Sequence, residues 1–157
     1  MTTNPRAVAD TDTFTVRRTI TIEAPPEKVW TAVTEPEHIS RWFGRTVLVG
    51  EGVGAHGTIT WPEGETMPIR VEAADPPRSI SYRWCNDDAG RVPDTVDAAP
   101  STVFTFTLEP TSSGTQLTVE ETGFELTADP VKNLESHREG WDGELDELVE
   151  YVESRSW

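Results

Sequence analysis

IEAPPEKVWTAVTEPEHISRWF, residues Ile22 to Phe43, leaves a strand, turns through two prolines and enters a short helix. Pro25 and Pro26 suit a helix start, where the missing N–H would have had no partner anyway. Val29, Trp30 and Val33 then share one helical face. Thr34 is placed to cap a second short helix, with Pro36 at its start and Glu37 in its first turn. Ile39, Trp42 and Phe43 close the stretch. Large aromatics at Trp30, Trp42 and Phe43 around two short helices outline the mouth of a cavity. The polar surroundings of a compact catalytic site would look different.

Upstream, Thr13 to Ile22 alternates. Phe14, Val16, Ile20 and Ile22 fall on one face and the threonines and Arg17 on the other, the pattern of a half-buried strand. Arg18 sits on the apolar face and leaves it only partly closed. Residues 1–11 are polar and read as a disordered tail, with residues 12–157 as one domain. Downstream, Thr46–Val49, Gly57–Trp61, Pro68–Ala73, Ser79–Cys85, Thr102–Leu108 and Gln116–Phe124 read as strands. Glycines and prolines punctuate them, which argues for an antiparallel sheet. Gly50, Gly52, Gly54 and Gly57 precede no helix and read as a tight or bulged turn, not a nucleotide cradle. Asn86–Ser101 lacks periodicity and reads as a long surface loop.

From Asp129 to about Ser154 the chain is helical, with Asp129 as cap and Pro130 in first position. Val131, Leu134, Trp141, Leu145, Leu148, Val149 and Val152 recur at three- and four-residue steps. This helix is about 37 Å long, and its apolar stripe must lie along the sheet. One strand, two short helices, a run of antiparallel strands and a long terminal helix make an α+β layer fold.

The 157 residues carry 28 acids against 13 bases, a net charge of −15. Such a surface repels nucleic acid and anionic membranes. No apolar run approaches the roughly 20 residues of a membrane span. No secretory leader is visible, so the expected compartment is the cytoplasm. Cys85 is the one cysteine, so no intrachain disulfide can form. It reads as a buried small hydrophobe.

Catalytic signatures are missing. There is no phosphate loop, HExxH, CxxC or GxSxG, and His38, His56 and His137 lack metal-ligand spacing. No cofactor or metal is expected. Two charged positions stand out. Arg138 falls within the helical stripe beside Leu134, Trp141 and Leu145. Either its stem packs and its head reaches solvent, or it faces a cavity and meets an acid. Glu121 shares a strand face with Leu117 and Val119, and a carboxylate there needs a partner. Arg138 and Arg18 are the candidates; the other reading puts Glu121 at a wet sheet edge. Mid-helix Gly140 flanks Trp141 and Gly143 follows two residues later, and each costs up to ~1 kcal/mol relative to alanine. Close approach of another element, or a bend beside a pocket, would account for them.

Three motifs carry a resemblance. Ala24–Phe43, Glu121–Phe124 (E-x-G-F) and His137–Tyr151 (H-R-x-G-W-x-x-x-L-x-x-L-x-x-Y) resemble proteins similar to the C-terminal domain of the heat-shock-protein-90 ATPase activator. These belong to the START, or birch-pollen-allergen-like, superfamily. The resemblance spans residues 13 to 153. It implies a helix-grip fold, a curved antiparallel sheet around a long C-terminal helix, with two short helices closing a hydrophobic cavity. The eukaryotic co-chaperone has a separate N-terminal domain, for which this chain has no room, so ATPase activation is not the leading expectation.

The leading expectation is a binder of a small hydrophobic or amphipathic molecule, a lipid or a polyketide or aromatic metabolite. Trp30, Ile39, Trp42 and Phe43 would line its cavity from the short helices. Trp61, Tyr82, Trp84 and Phe104 would do so from the strands, although each strand aromatic alone is equally at home in the core. Glu121 and Phe124 come from the last strand, and His137, Arg138, Trp141 and Leu145 from the long helix. The alternative is a cyclase, dehydratase or hydrolase using Glu121, His137 or Arg138. A third reading is an interaction module with a chaperone partner.

Overall fold

Eight strands form in the computed structural model, which describes residues 3–86 and 93–154, and alternating apolar residues build the longer ones. Each strand pairs antiparallel with its neighbours, in the order β1-β2-β8-β7-β6-β5-β4-β3. They are β1 (Val8–Asp10), β2 (Thr15–Ile22), β3 (Arg45–Val49), β4 (His56–Thr60), β5 (Thr66–Asp75), β6 (Ser79–Trp84), β7 (Thr102–Pro110) and β8 (Thr115–Thr122). After β2 the chain runs through α1 (Pro26–Thr34) and α2 (Pro36–Trp42) to the far edge of the sheet. It then returns strand by strand until β8 lies beside β2. The sheet is curved and unclosed, and α3 (Pro130–Glu153) packs against β1, β2 and both short helices. This is the expected helix-grip arrangement.

The terminal helix starts where its cap requires: the Asp129 side chain accepts from the Lys132 N–H. Leu134, Trp141, Leu145, Leu148 and Val152 are buried along its stripe, while Val131 in the first turn stays exposed. Gly57 allows β4 to pass β3, since a Cβ there would strike the Val47 carbonyl. Cys85 is buried as expected. Within the loop 86–101, residues 87–92 lie outside the described residues. Among the described residues no helix is long and apolar enough to cross a membrane.

Two local readings need correction. Thr34 does not cap α2; its hydroxyl donates back to the Trp30 carbonyl at 2.7 Å, and Glu35 takes the cap position. Back-bonding of this kind is the standard competitor to capping for threonine. The tail expected over residues 1–11 contains a strand instead. Val8–Asp10 pairs with Arg17–Thr15, covering backbone of β2 that would otherwise be an open edge. Ala7 is buried, and its N–H donates to Asp142 Oδ1 at 2.6 Å.

Arg18 explains why this segment is held. The alternation of β2 turns it inward with Val16, Ile20 and Ile22, and its side chain has no exposed surface. Its guanidinium donates to the Pro5 carbonyl (2.8 Å), the Trp141 and Asp142 carbonyls (3.1 and 2.9 Å) and Asp146 Oδ1 (2.8 Å). One fork thus joins the N-terminal segment, the sheet and the middle of α3. Arg18→Lys keeps the charge but cannot reproduce this fork. We expect it to cost about 2–4 kcal/mol, read as a lower urea midpoint at unchanged slope.

Candidate functional site

The alternation of β8 sends Leu117, Val119 and Glu121 into the interior, and Glu121 has no exposed surface. Two residues on, Gly123 adopts a left-handed backbone (φ 101°) that turns the chain into a short 3-10 helix, Phe124–Leu126. A Cβ at Gly123 would lie 3.1 Å from the Ser101 carbonyl in a conformation that side chains disfavour. The turn seats Phe124 edge-on against the His137 ring, with centroids 5.0 Å apart. The E-x-G-F motif therefore places an acid and an aromatic on either side of His137.

The Glu121 carboxylate is saturated. Oε1 accepts from Trp141 Nε1 (2.9 Å), and Oε2 from Trp84 Nε1 (2.9 Å) and Thr102 Oγ1 (2.6 Å). His137 Nδ1 stands 2.8 and 2.9 Å from the two oxygens. The other ring nitrogen, Nε2, stands 2.8 Å from the Asn86 carbonyl. Both ring nitrogens face acceptors, so both must donate, and the ring is the imidazolium. Burial pushes the Glu121 carboxyl up. The His137 charge and the bonds from His137, Thr102 and Trp84 outweigh it and hold the group below the usual carboxylate range.

Neither expected partner of Glu121 is there. Arg18 is engaged at the N-terminal segment and α3, as described above. Arg138 lies on the outer side of α3, where it pairs with Glu135 at 2.6 Å and Asp142 at 3.2 Å. Three carboxylates within a turn, Glu139 being the third, draw it outward. Arg138 is thus a surface residue, and its place in the stripe reflects only the approximate helical period.

Beside this buried network lies a cleft of about 360 Å³ that opens to solvent between the β4–β5 hairpin and α3. Phe43, Trp61, Met67, Trp84, His137 and Trp141 line it, with Glu63, Glu65, Asn86, Ser136, Gly140 and Glu144 around them. Phe43 is the hub of its aromatic wall, with ring centroids 5.2 Å from Trp61, 5.6 Å from Trp84 and 5.5 Å from Trp141. The indole N–H groups that bind Glu121 fix two of these rings.

Five of the fourteen expected cavity residues, Phe43, Trp61, Trp84, His137 and Trp141, meet at this cleft, and Glu121 lies behind it. Ile39, Trp42, Tyr82 and Phe104 surround a space of only about 10 Å³ deeper inside. There the Trp42 N–H donates to the Ala32 carbonyl (2.8 Å) and the Tyr82 hydroxyl to the Val33 carbonyl (2.6 Å). Leu145 and Phe124 are fully buried, and Trp30 packs at the core's edge. An enclosed cavity lined by both Trp42 and Trp141 is thus absent among the described residues; Trp42 fills the core and its neighbour Phe43 reaches the cleft.

Thr102, Glu63, Glu65, Met67, Ser136 and Glu144 were not expected at the site. Ser136, Gly140 and Glu144 follow at four-residue steps, one ridge of α3 beside His137 and Trp141. In a helix this rich in acids, nothing in the sequence separates Glu144 from its neighbours. Gly140 has open space where a Cβ would stand, as does Gly143, so close approach of another element is not their reason. At Gly140 that space is the mouth of the cleft.

A sheet wrapped on a terminal helix, two short helices after the long first strand and an aromatic cleft between layers define the START, or birch-pollen-allergen-like, class. Residues 23–153 match the family described as Activator of Hsp90 ATPase homolog 1-like protein, and the chain belongs to that family. Among curated proteins none matches. A crystal structure of a protein from Mesorhizobium loti is similar at TM-score 0.73 and 28% identity, covering 91% of this chain and 99% of that one. A protein from Rhodobacter sphaeroides shares the fold at TM-score 0.65 and 23% identity, over 94% and 96% of the two chains. One from Mycobacterium smegmatis does so at 0.67 and 18%, over 99% of both.

Replacing Glu121 tests the network. Glu121→Gln leaves the His137 charge buried opposite an amide and should cost about 3–5 kcal/mol. Because Glu121 titrates lower in the fold than in the open chain, its contribution is complete above the unfolded value of about 4.3. It is lost as pH falls through the folded value. Wild-type stability should therefore drop below about pH 4, and the variant should lack that part of the drop in denaturation curves taken across pH. Arg138→Leu, by contrast, should leave both the unfolding midpoint and the indole resonances of Trp84 and Trp141 essentially in place.

Proposed function

We propose that the protein binds a small apolar or amphipathic molecule in the cleft between the β4–β5 hairpin and α3. The supporting observation is the cleft itself, with its wall of Phe43, Trp61, Met67, Trp84 and Trp141. Its volume lies in the range of about 300–1,000 Å³ common for small-molecule sites. The wall is set before any ligand arrives, because Trp84 and Trp141 are anchored by the Glu121 carboxylate. A preset wall spares a ligand the cost of ordering side chains.

None of the three residues expected to carry acid–base catalysis is free for it. A general base needs a lone pair aimed at substrate. Both Glu121 oxygens already hold donors from the indoles, the threonine and the imidazolium. His137 spends Nδ1 on Glu121 and Nε2 on the Asn86 carbonyl. Arg138 does not reach the cleft.

Titration with a panel of fatty acids, fatty alcohols and fused-ring aromatics, read by the indole N–H resonances, tests this reading. Ligands should shift Trp61, Trp84 and Trp141 and leave Trp30 unmoved. Gly140→Leu should narrow the mouth and weaken binding about tenfold or more. It should also keep or raise stability, because mid-helix glycine costs up to ~1 kcal/mol. Binding that shifts no cleft indole, or that ignores Gly140→Leu, would place the site elsewhere.

A further inference from the structure

Apart from the His137 imidazolium, which is spent on Glu121, the charged groups lining the cleft are acids. Glu63 and Glu65 come from the turn between β4 and β5, which the Trp61–Glu65 backbone pair closes, and Glu144 faces them from α3. No lysine or arginine lines the cleft among the described residues. His137 is the one titratable nitrogen there, and its Nδ1 is given to Glu121.

Glu144 differs from the other two acids. Its Oε2 is shielded from solvent and has no hydrogen-bond partner. Burial pushes the carboxyl up to about 8, and the charges of Glu147 on its own helix and Glu63 across the cleft add to the rise. A buried carboxylate oxygen without a donor is costly. At Glu121 the fold supplies donors on both oxygens; at Glu144, a side chain that lines the cleft, it leaves one oxygen without a donor.

The walls favour a cationic guest. The faces of indole and phenyl rings attract cations, tryptophan most strongly, and Trp61, Trp84, Trp141 and Phe43 ring the space. A metal ion does not fit: among the described residues no three His, Cys, Asp or Glu side chains are gathered closely enough to hold one. An organic cation needs no such cage. It needs an apolar surface, π faces and a carboxylate acceptor.

We propose that the cleft takes an organic ammonium ligand, an amine-bearing hydrophobic molecule whose body lies against Trp61, Trp84 and Trp141 while its N–H donates to Glu144. Glu63 and Glu65 flank the charged end and draw it in. The proposal rests on the cleft being the binding site. It also implies that binding ionises Glu144. A proton is released as the complex forms, and affinity rises between about pH 6 and about pH 8.5, while the ammonium itself stays charged.

Three probes of one shape test it by calorimetry on the whole chain: 2-naphthylmethylamine, 2-naphthylmethanol and 2-naphthoate. The ammonium should bind about tenfold more tightly than the alcohol, and the carboxylate most weakly. Calorimetry in buffers of different ionisation enthalpy should show the proton released with the ammonium alone. Glu144→Gln should bring ammonium and alcohol close to parity and abolish the proton release. Should Glu144→Gln disturb the fold, the exposed pair Glu63→Gln with Glu65→Gln gives a second reading, a smaller loss of the same preference. Equal binding of ammonium and alcohol by the wild type, or a preference that survives Glu144→Gln, overturns the ammonium proposal and leaves cleft binding standing. If none of the three probes binds, both readings fall.

Discussion

The buried carboxylate of Glu121 is the contact on which the arrangement of layers depends. Taking a carboxylate and an imidazolium out of water costs several kcal/mol per ion before compensation. The fold offsets that cost with donors from three elements. Trp84 comes from β6, Thr102 from β7, and His137 with Trp141 from α3. The same bonds settle the geometry of the cleft, since an indole held at its N–H has little freedom left to turn its face. Arg18, on the neighbouring strand β2, acts on the backbone of the same helix. It grips the Trp141 carbonyl while Glu121 grips the Trp141 side chain, so that one residue is fixed at both ends. What looks like a stability device is thereby also the frame of the candidate site.

The split between core and cleft turns on two adjacent residues. Trp42 ends α2 and is buried, with its N–H satisfied by α1. Phe43 leaves the helix with a non-helical backbone (φ −101°, ψ −94°) and stacks on Trp42 at 4.9 Å. That stack lets Trp42, Tyr82 and Phe104 fill the deep interior while Phe43 faces Trp61 and Trp84. The deep interior is thus nearly closed, and the larger space lies between the β4–β5 hairpin and α3.

Periodicity made most of the fold readable. Strand alternation located β2 to β8 to within a few residues, and the capped stripe located α3. Glu121 was legible because a carboxylate on an apolar strand face demands a partner. Which partner was not legible, since strand phase says nothing of the element packed opposite. His137 sits one residue before Arg138, and about 100° of helical rotation separates a buried ring from a surface guanidinium. The same limit hid Thr102, whose hydroxyl matters only because β7 pairs with β8 in a register that sets Phe104 opposite Glu121. β1 was hidden for another reason: three residues are too few for alternation, and their order comes from tertiary contacts.

Two carboxylates near Trp141 sharpen the functional argument. Glu121 bonds its indole from behind, and Glu144 stands one turn further along α3 on the cleft side. One has donors on both oxygens and stays ionised; the other has an oxygen without a partner and holds its proton more tightly. A fold that needed an inert wall at position 144 would be served by glutamine or leucine at less electrostatic cost, since neither meets the charges of Glu63 and Glu147. Groups left unsatisfied at the edge of a formed space are where a ligand can gain most. The aromatic wall supplies area to any hydrophobic guest, whereas Glu144 supplies the discrimination. Only a guest that brings a proton donor and a positive charge relieves both its missing hydrogen bond and its acidic neighbours.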